Sequence, residues 1–395
     1  MVTSLGTIRP LGALLAVALV AGLTAAPPAG AQIAVSSNDN KVVLVDGVTT
    51  GVASAPADTA TILDLSVSPP KVLAEIEVPG SVVGPPFSVA ITPDEGLALV
   101  TSSTKLDPAD PKKQLPDNKL TVIDLKASPP AIIARLEAGK GAAGVSINRQ
   151  GTLALVANRA EGTVSVFSIS GKTVTPVEVV KLGDEKSGPC HVAITPDGRM
   201  ALVTRDGDHM ISVLSISGTK VEHAKRDITA GVRPYGIDIN AAGTLAVAAN
   251  MSRSAGDSDS LSVIDLQANP ARVVATVGVP QSPEGLLFSP DGKLLAVAAM
   301  DGSNKPRNSP FFGAVGKLLL FRVDSATLTK VAEAPIGRWS QGVAFSADGK
   351  TLLVQNMVEK EIWVFAVDGT ALRDTGQRIK VNGGPAAIRI ADKPR

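Results

Sequence analysis

Soft metal ligands are almost missing from these 395 residues, which hold one cysteine, Cys190, and three histidines. A lone thiol closes no internal disulfide, so the fold has to be held by packing. His191, His209 and His223 share no zinc-type spacing with each other or with Cys190, and no metal site is expected. Asp206 and Asp208 around Gly207, and Asp257 and Asp259 around Ser258, suggest calcium at first sight, but neither continues into a bidentate glutamate and both read as solvated turns. The sequence has no CxxCH haem attachment, no GxSxG elbow and no P-loop, so no cofactor is expected. Aromatic residues make up 3% of the chain, with Trp339, Trp363 and Tyr235 the sole Trp and Tyr residues, which is thin for stacking on bases or sugars. Charge of one sign is lacking as well. The 38 basic and 37 acidic residues nearly cancel, which removes the electrostatic case for nucleic acid or anionic lipid.

Residues 1–31 read as an export signal. Arg9 precedes the apolar run 11–23, shorter than the ~20 residues that span a bilayer, and Ala29-Gly30-Ala31 offers a small-residue cleavage site before Gln32. Later apolar runs are broken by turn residues every few positions, so no membrane association is expected after cleavage. The expected product is one domain, residues 32–395, monomeric and periplasmic or secreted.

What the chain has in abundance is one repeated unit. Cys190 to Thr204 (CHVAITPDGRMALVT) reads as strand, tight turn, strand: proline fixes φ in the turn and Gly198 takes the positive φ. The stretch recurs from Phe87, Ala143, Tyr235, Glu284 and Gln341, a period of about fifty residues that marks a repeat fold. Each copy is followed by two further strands, and runs such as LLLF at 318–321 are apolar on both faces, as blades packed face to face require. The segment from Pro385 to Asp392 matches only the first strand of a unit. With the N-terminal strands expected at Lys41–Asp46, Thr59–Leu65 and Lys71–Val78, it adds up to a seventh blade. The expected fold is an all-β, seven-bladed β-propeller of four-stranded blades, its ring closed by one C-terminal and three N-terminal strands.

The units end in Leu155-Val156-Ala157-Asn158, Val247-Ala248-Ala249-Asn250 and Leu353-Val354-Gln355-Asn356. In this the chain resembles the YVTN-repeat propellers of the lactonase-like seven-bladed group, over essentially all of Ile33 to the C-terminus. Thr101 and Thr204 depart from the pattern by lacking the following asparagine. The resemblance implies the propeller fold, and its members include lactone hydrolases, electron-transfer subunits and binding proteins.

Strand parity places the P-D-G turns on one face, here called the bottom. The long segments Ser102–Lys119, Asn250–Ser260 and Met300–Gly316 then fall on the top, where variable loops on a rigid frame tend to carry function. The residue opening each inner strand is expected near the axis at the top mouth: Phe87, Ala143, Cys190, Tyr235, Glu284, Gln341 and Ala386. His191, Arg233, Arg338 and Trp339 lie close in sequence, and the loops add Arg159, Arg205, Asp206, His209 and Asp301. Phe311 and Phe312 form an apolar pair that is expected to cover the pore, meet a partner, or pack on the blade rim. Two functions remain open. In the first, the top face binds a small molecule or partner protein without catalysis, through Tyr235, Gln341, Arg338, Trp339, Arg205, Phe311 and Phe312. In the second, a lactonase-type hydrolase uses Glu284, His191 and Arg233 at the pore to polarise a carbonyl and activate water.

Overall fold

A computed structural model describes residues 1–2 and 32–393, so the leader expected over residues 1–31 lies outside the described residues but for Met1 and Val2. The described chain contains thirty strands, arranged as seven four-stranded antiparallel sheets and one two-stranded hairpin. Blade 1 consists of Val89–Ile91, Leu97–Leu106, Gln114–Asp124 and Ala131–Glu137. Blades 2 to 6 begin with the inner strands Ala142–Ile147, Pro189–Ile194, Pro234–Ile239, Pro283–Phe288 and Ser340–Phe345, each followed by three more in sequence order. Blade 7 is composite. Its inner strand is the C-terminal Gly384–Ile390, followed outward by Ile33–Asp39, Thr59–Asp64 and Lys71–Glu77.

Burial grades outward along each blade. Inner strands such as Pro283–Phe288 are buried throughout, whereas the outer strand Ala131–Glu137 alternates exposed and half-buried residues. That is the contrast between a strand covered on both faces and one wetted on one side. The core is a set of contacts between neighbouring blades, for example Leu155, Val164 and Val166 of blade 2 against Val192, Val203 and Leu214 of blade 3. Each blade therefore needs its neighbour to bury its apolar faces, and the ring has to close.

One strand of the closing blade differs from expectation. Its second strand is Ile33–Asp39, paired with Gly384–Ile390 on one side and Thr59–Asp64 on the other. Lys41–Asp46 takes no part in the blade: Val42–Val45 pairs with Val48–Gly51 in a separate hairpin. The serines and asparagine of IAVSSND mask the strand's apolar period, yet Asn38 does the work of the repeat asparagine. Its Nδ2 donates to the hydroxyls of Thr59 and Thr61, both at 2.9 Å, just as Asn158 Nδ2 donates to Thr163 and Ser165. The asparagine is thus a staple from the second strand to the third. In blade 1 the expected long segment is a continuous hairpin that carries pairing out to Leu106 and Gln114.

Deleting residues 385–395 should leave the protein insoluble or with a strongly lowered melting temperature. Ile388 is fully buried in the contact between blades 6 and 7, and burying such a side chain is worth about 1.5 to 3 kcal/mol of the ~5 to 15 that hold a domain together. The deletion also strips the inner edge from Ile33–Asp39. A soluble truncation that melts with the full chain would show that the terminus does not close the ring.

Candidate functional site

Two equivalent backbone positions in each blade build the top mouth. One is the residue after the repeat asparagine position: Ser103, Arg159, Asp206, Met251, Met300, Met357 and Asp39 in blades 1 to 7. The other lies two residues before the strand-opening position. In blades 2 to 6 the N–H of the first donates to the carbonyl of the second: Arg159 to Gly141, Asp206 to Gly188, Met251 to Arg233, Met300 to Ser282 and Met357 to Trp339. Blades 2 and 3 use glycine there, with φ of 75° and 61°. Blades 4, 5 and 6 place Arg233, Ser282 and Trp339 in the same left-handed conformation, at 56°, 57° and 49°. A side chain held there costs about 1 to 3 kcal/mol, and such outliers gather at functional sites.

The resulting mouth is two-sided. On blades 2 to 5 it is polar. The Arg159 guanidinium is hydrogen-bonded to Asp206 and also donates to the Cys190 thiol at 2.6 Å, while Arg233 reaches Asp206 Oδ2 at 3.4 Å. Arg159 also lies 5.6 Å from the centre of the Tyr235 ring. Trp339, Met300, Met357, Ala386, Val42 and Val82 form an apolar wall opposite. Val82 belongs to the linker from blade 7 to blade 1, which crosses the mouth: the Gly84 N–H donates to the Tyr235 hydroxyl at 3.1 Å.

Glu284 stands in this mouth only 6% exposed. Burial pushes its carboxyl up to about 8, against the opposing pull of a Gln341 hydrogen bond and of Arg233 and Arg159. At neutral pH it is therefore mostly a neutral acid that can give a proton. Burial likewise pushes the Cys190 thiol up to about 12, which makes it a poor nucleophile.

His191 does not join this group. Its ring stacks on Phe87 with centroids 3.9 Å apart, and the pair fills the waist of the channel. A Cβ on Gly236 would meet the Phe87 ring at 2.7 Å, so the phenyl from blade 1 reaches right across to blade 4. The hydrolase trio is therefore divided, with Glu284 and Arg233 above and His191 at the waist. Arg205 is also placed elsewhere. It occupies the asparagine position of blade 3 and acts as that blade's staple, to the Leu182 carbonyl at 2.8 Å and the Asp227 carboxylate at 2.9 Å.

Arg338 pairs with Glu359 at 3.0 Å on the rim. Together with Phe312, Lys305 and Arg307 it lines an outer groove beside the separate hairpin of Val42–Val45 and Val48–Gly51. Phe311 rests on Gly256 of the blade 4 insertion and Phe312 is 38% exposed, so the pair sits on the rim and not over the axis. Tyr235 and Gln341 are in the mouth as expected. The methionines at the mouth went unremarked in sequence, as did the equivalence of Arg233 and Trp339 to Gly141 and Gly188, although aligning the blades residue by residue displays both. Among the described residues no group of side chains has the make-up of a metal site, and no helix is long and apolar enough to cross a membrane.

The model of the family described as "Lactonase, 7-bladed beta-propeller" matches residues 118–218, within blades 1 to 3 of a complete seven-bladed ring. Over those residues the chain is similar to the lactonase-like seven-bladed propellers. No curated protein matches this lactonase-like chain. Among solved structures, the periplasmic gluconolactonase of Pseudomonas aeruginosa is 18% identical with a TM-score of 0.66, covering 92% of this chain and 99% of that one. A Bacteroides fragilis protein provisionally titled a 6-phosphogluconolactonase is 17% identical with a TM-score of 0.68, over 93% and 99%. Hydrazine synthase of Kuenenia stuttgartiensis is 18% identical with a TM-score of 0.62, over 79% and 91%. At these identities the likeness is one of fold.

Replacing Glu284 with Gln in this lactonase-like propeller should change how stability depends on pH. The folded carboxyl, at about 8 against an ordinary 4.5, binds more protons than the unfolded one between those values. Its contribution is therefore fully present below about 4.5 and is lost as pH rises through about 8. The melting temperature of Glu284→Gln minus that of the wild type should become more positive from pH 5 to pH 9. A difference that stays flat would mean that Glu284 is ionised throughout.

Proposed function

We propose that this propeller, acting after export, binds a small oxygen-rich acid or its lactone at the top mouth of the channel. The observation that carries this is the convergence of Arg159, Arg233, Asp206 and Glu284 on one half of the mouth, opposite the apolar wall of Trp339 and the methionines. Two guanidiniums against one carboxylate, with Glu284 neutral, leave one unit of positive charge for a carboxylate or a polarised carbonyl to meet. The likeness to a gluconolactonase supports the sugar-acid class, and the family's lactonase description supports a lactone.

Hydrolysis is the second reading, and the neutral Glu284 carboxyl favours it. Arg233 would polarise the lactone carbonyl, water would add to its carbon, and the ring C–O bond would break as the ring oxygen takes a proton from Glu284. The water's own proton then restores the carboxyl, so lactone plus water gives hydroxy acid. His191 has no part in this scheme.

Arg233→Gly separates binding from folding, because glycine relieves the strained backbone while removing the guanidinium. In a thermal-shift titration with gluconate and D-glucono-1,5-lactone, wild-type protein should be stabilised. Arg233→Gly should melt near the wild type yet bind at least roughly tenfold more weakly, as loss of a charge-assisted hydrogen bond of about 1.5 to 3 kcal/mol requires. Equal stabilisation of both proteins would remove the top mouth from the function. Lactone consumption that Glu284→Gln abolishes would establish the hydrolase, and its absence in wild type would leave a binding protein.

A further inference from the structure

Below the Phe87 and His191 waist the channel opens again, into a cavity of about 370 Å³ at the bottom mouth. That is within the size range of small-molecule sites. A smaller space of about 50 Å³ runs on from it up to His191, with Asp238, Ile239, Arg389, Ile390 and Asp392 lining both. The larger cavity has an apolar side made by Leu287, Phe288 and Pro290.

Two buried donors on residues that line this space have nothing among the described residues to receive their protons. His191 Nδ1 accepts from the Ile237 N–H at 3.3 Å, and burial holds the ring neutral, so its one proton is on Nε2. Nε2 is buried without a partner among the described residues, and so is Nη1 of Arg389. The carboxylates nearby already hold other partners. Asp238 Oδ2 takes the Phe288 N–H at 2.9 Å, and Asp238 approaches Arg389 Nη2 only at 3.9 Å. Asp392 receives two hydrogen bonds from Arg149 Nε, at 2.9 and 3.0 Å. Buried donors left unpaired cost free energy, so an acceptor belongs between them.

The wall beside that space is the C-terminal strap Ile390–Lys393, latched at Asp392 by Arg149 and at Lys393 by Glu95 over 3.1 Å. Glu95 holds φ at 54° in the turn position where Gly198, Gly292 and Gly349 hold 70°, 72° and 71°. It also accepts the Ile33 N–H at 3.0 Å, so one strained carboxylate ties both chain ends to the cavity.

We propose that the bottom mouth is a second ligand site, separate from the top, that takes a small monocarboxylate with an apolar body. The carboxylate is received by Arg389 Nη1 and His191 Nε2, and the body lies against Leu287, Phe288 and Pro290. A cation is disfavoured because every carboxylate there already has partners. A dicarboxylate would set its second charge among Asp238, Glu95 and Asp392.

Calorimetric titration of the purified protein with benzoate and hexanoate, against benzamide and hexanamide, tests this. Wild type should bind the acids and not the amides. Arg389→Gln removes the anchor, and Ala347→Trp obstructs the cavity from an exposed turn without touching either donor. Each should weaken binding at least about tenfold. If Arg389→Gln fails to fold, Ala347→Trp decides alone. Acids that do not bind folded wild-type protein would mean that water serves the two donors, and acids that bind Ala347→Trp undiminished would place them elsewhere. Either result overturns the site.

Discussion

Seven inner strands have to approach one axis, and the room left between them governs the molecule. The third residue of the inner strand is glycine in blades 2, 4, 5 and 6, namely Gly144, Gly236, Gly285 and Gly342. A Cβ there would stand 2.7, 2.7, 2.3 and 2.7 Å from atoms of a neighbouring strand or of the Gln355 side chain. Blade 3 alone carries a ring at that position, His191, and the Phe87 ring comes across to meet it. Strands this close leave space for one stacked pair, and that pair divides the channel into two chambers. Water kept from the axis is also what makes the polar groups there unusual, since a carboxyl such as Glu284 cannot be solvated as it ionises.

The two chambers answer that low polarity differently. Above, two guanidiniums share Asp206 and the further carboxyl gives up its charge instead of forming another ion pair. Below, Asp238 is raised to about 6 by burial but keeps Arg389 and the Phe288 N–H within reach, so at neutral pH it stays largely charged. The upper chamber thus holds a proton available for transfer. The lower chamber holds only donors and paired ions, which suits binding without chemistry.

The architecture was legible because the strand-turn-strand unit repeats six times and its C-terminal half-copy points to closure. Ile33–Asp39 escaped notice because its register is carried by serines and an asparagine, whose role as a staple depends on partners in Thr59 and Thr61 that periodicity does not register. The location of Glu284, Tyr235 and Gln341 at the mouth followed from strand parity. What did not follow was their burial, since the linker through Gly84 that covers Tyr235 has no repeat counterpart. His191 was misplaced relative to Glu284 because neighbouring residues of a strand point to opposite sides, and one step along the strand moved it from the mouth to the waist. Arg205 looked like a mouth residue until its position was seen to be that of Asn158.

A repeat protein supplies its own controls, because every blade solves the same backbone problem. Where Gly141 and Gly188 satisfy a left-handed turn at no steric cost, Arg233 and Trp339 satisfy it with strain, and Glu95 does the same against Gly198. Glycine would hold the same backbone conformation as these three residues without that strain. Each, however, delivers a side chain to an end of the channel: Arg233 to Asp206, Trp339 to the apolar wall, and Glu95 to the latch on Lys393. Strained backbone of this kind gathers at functional sites, and here it falls at the mouths of the channel. It occurs at both ends of the channel, in keeping with the two sites proposed.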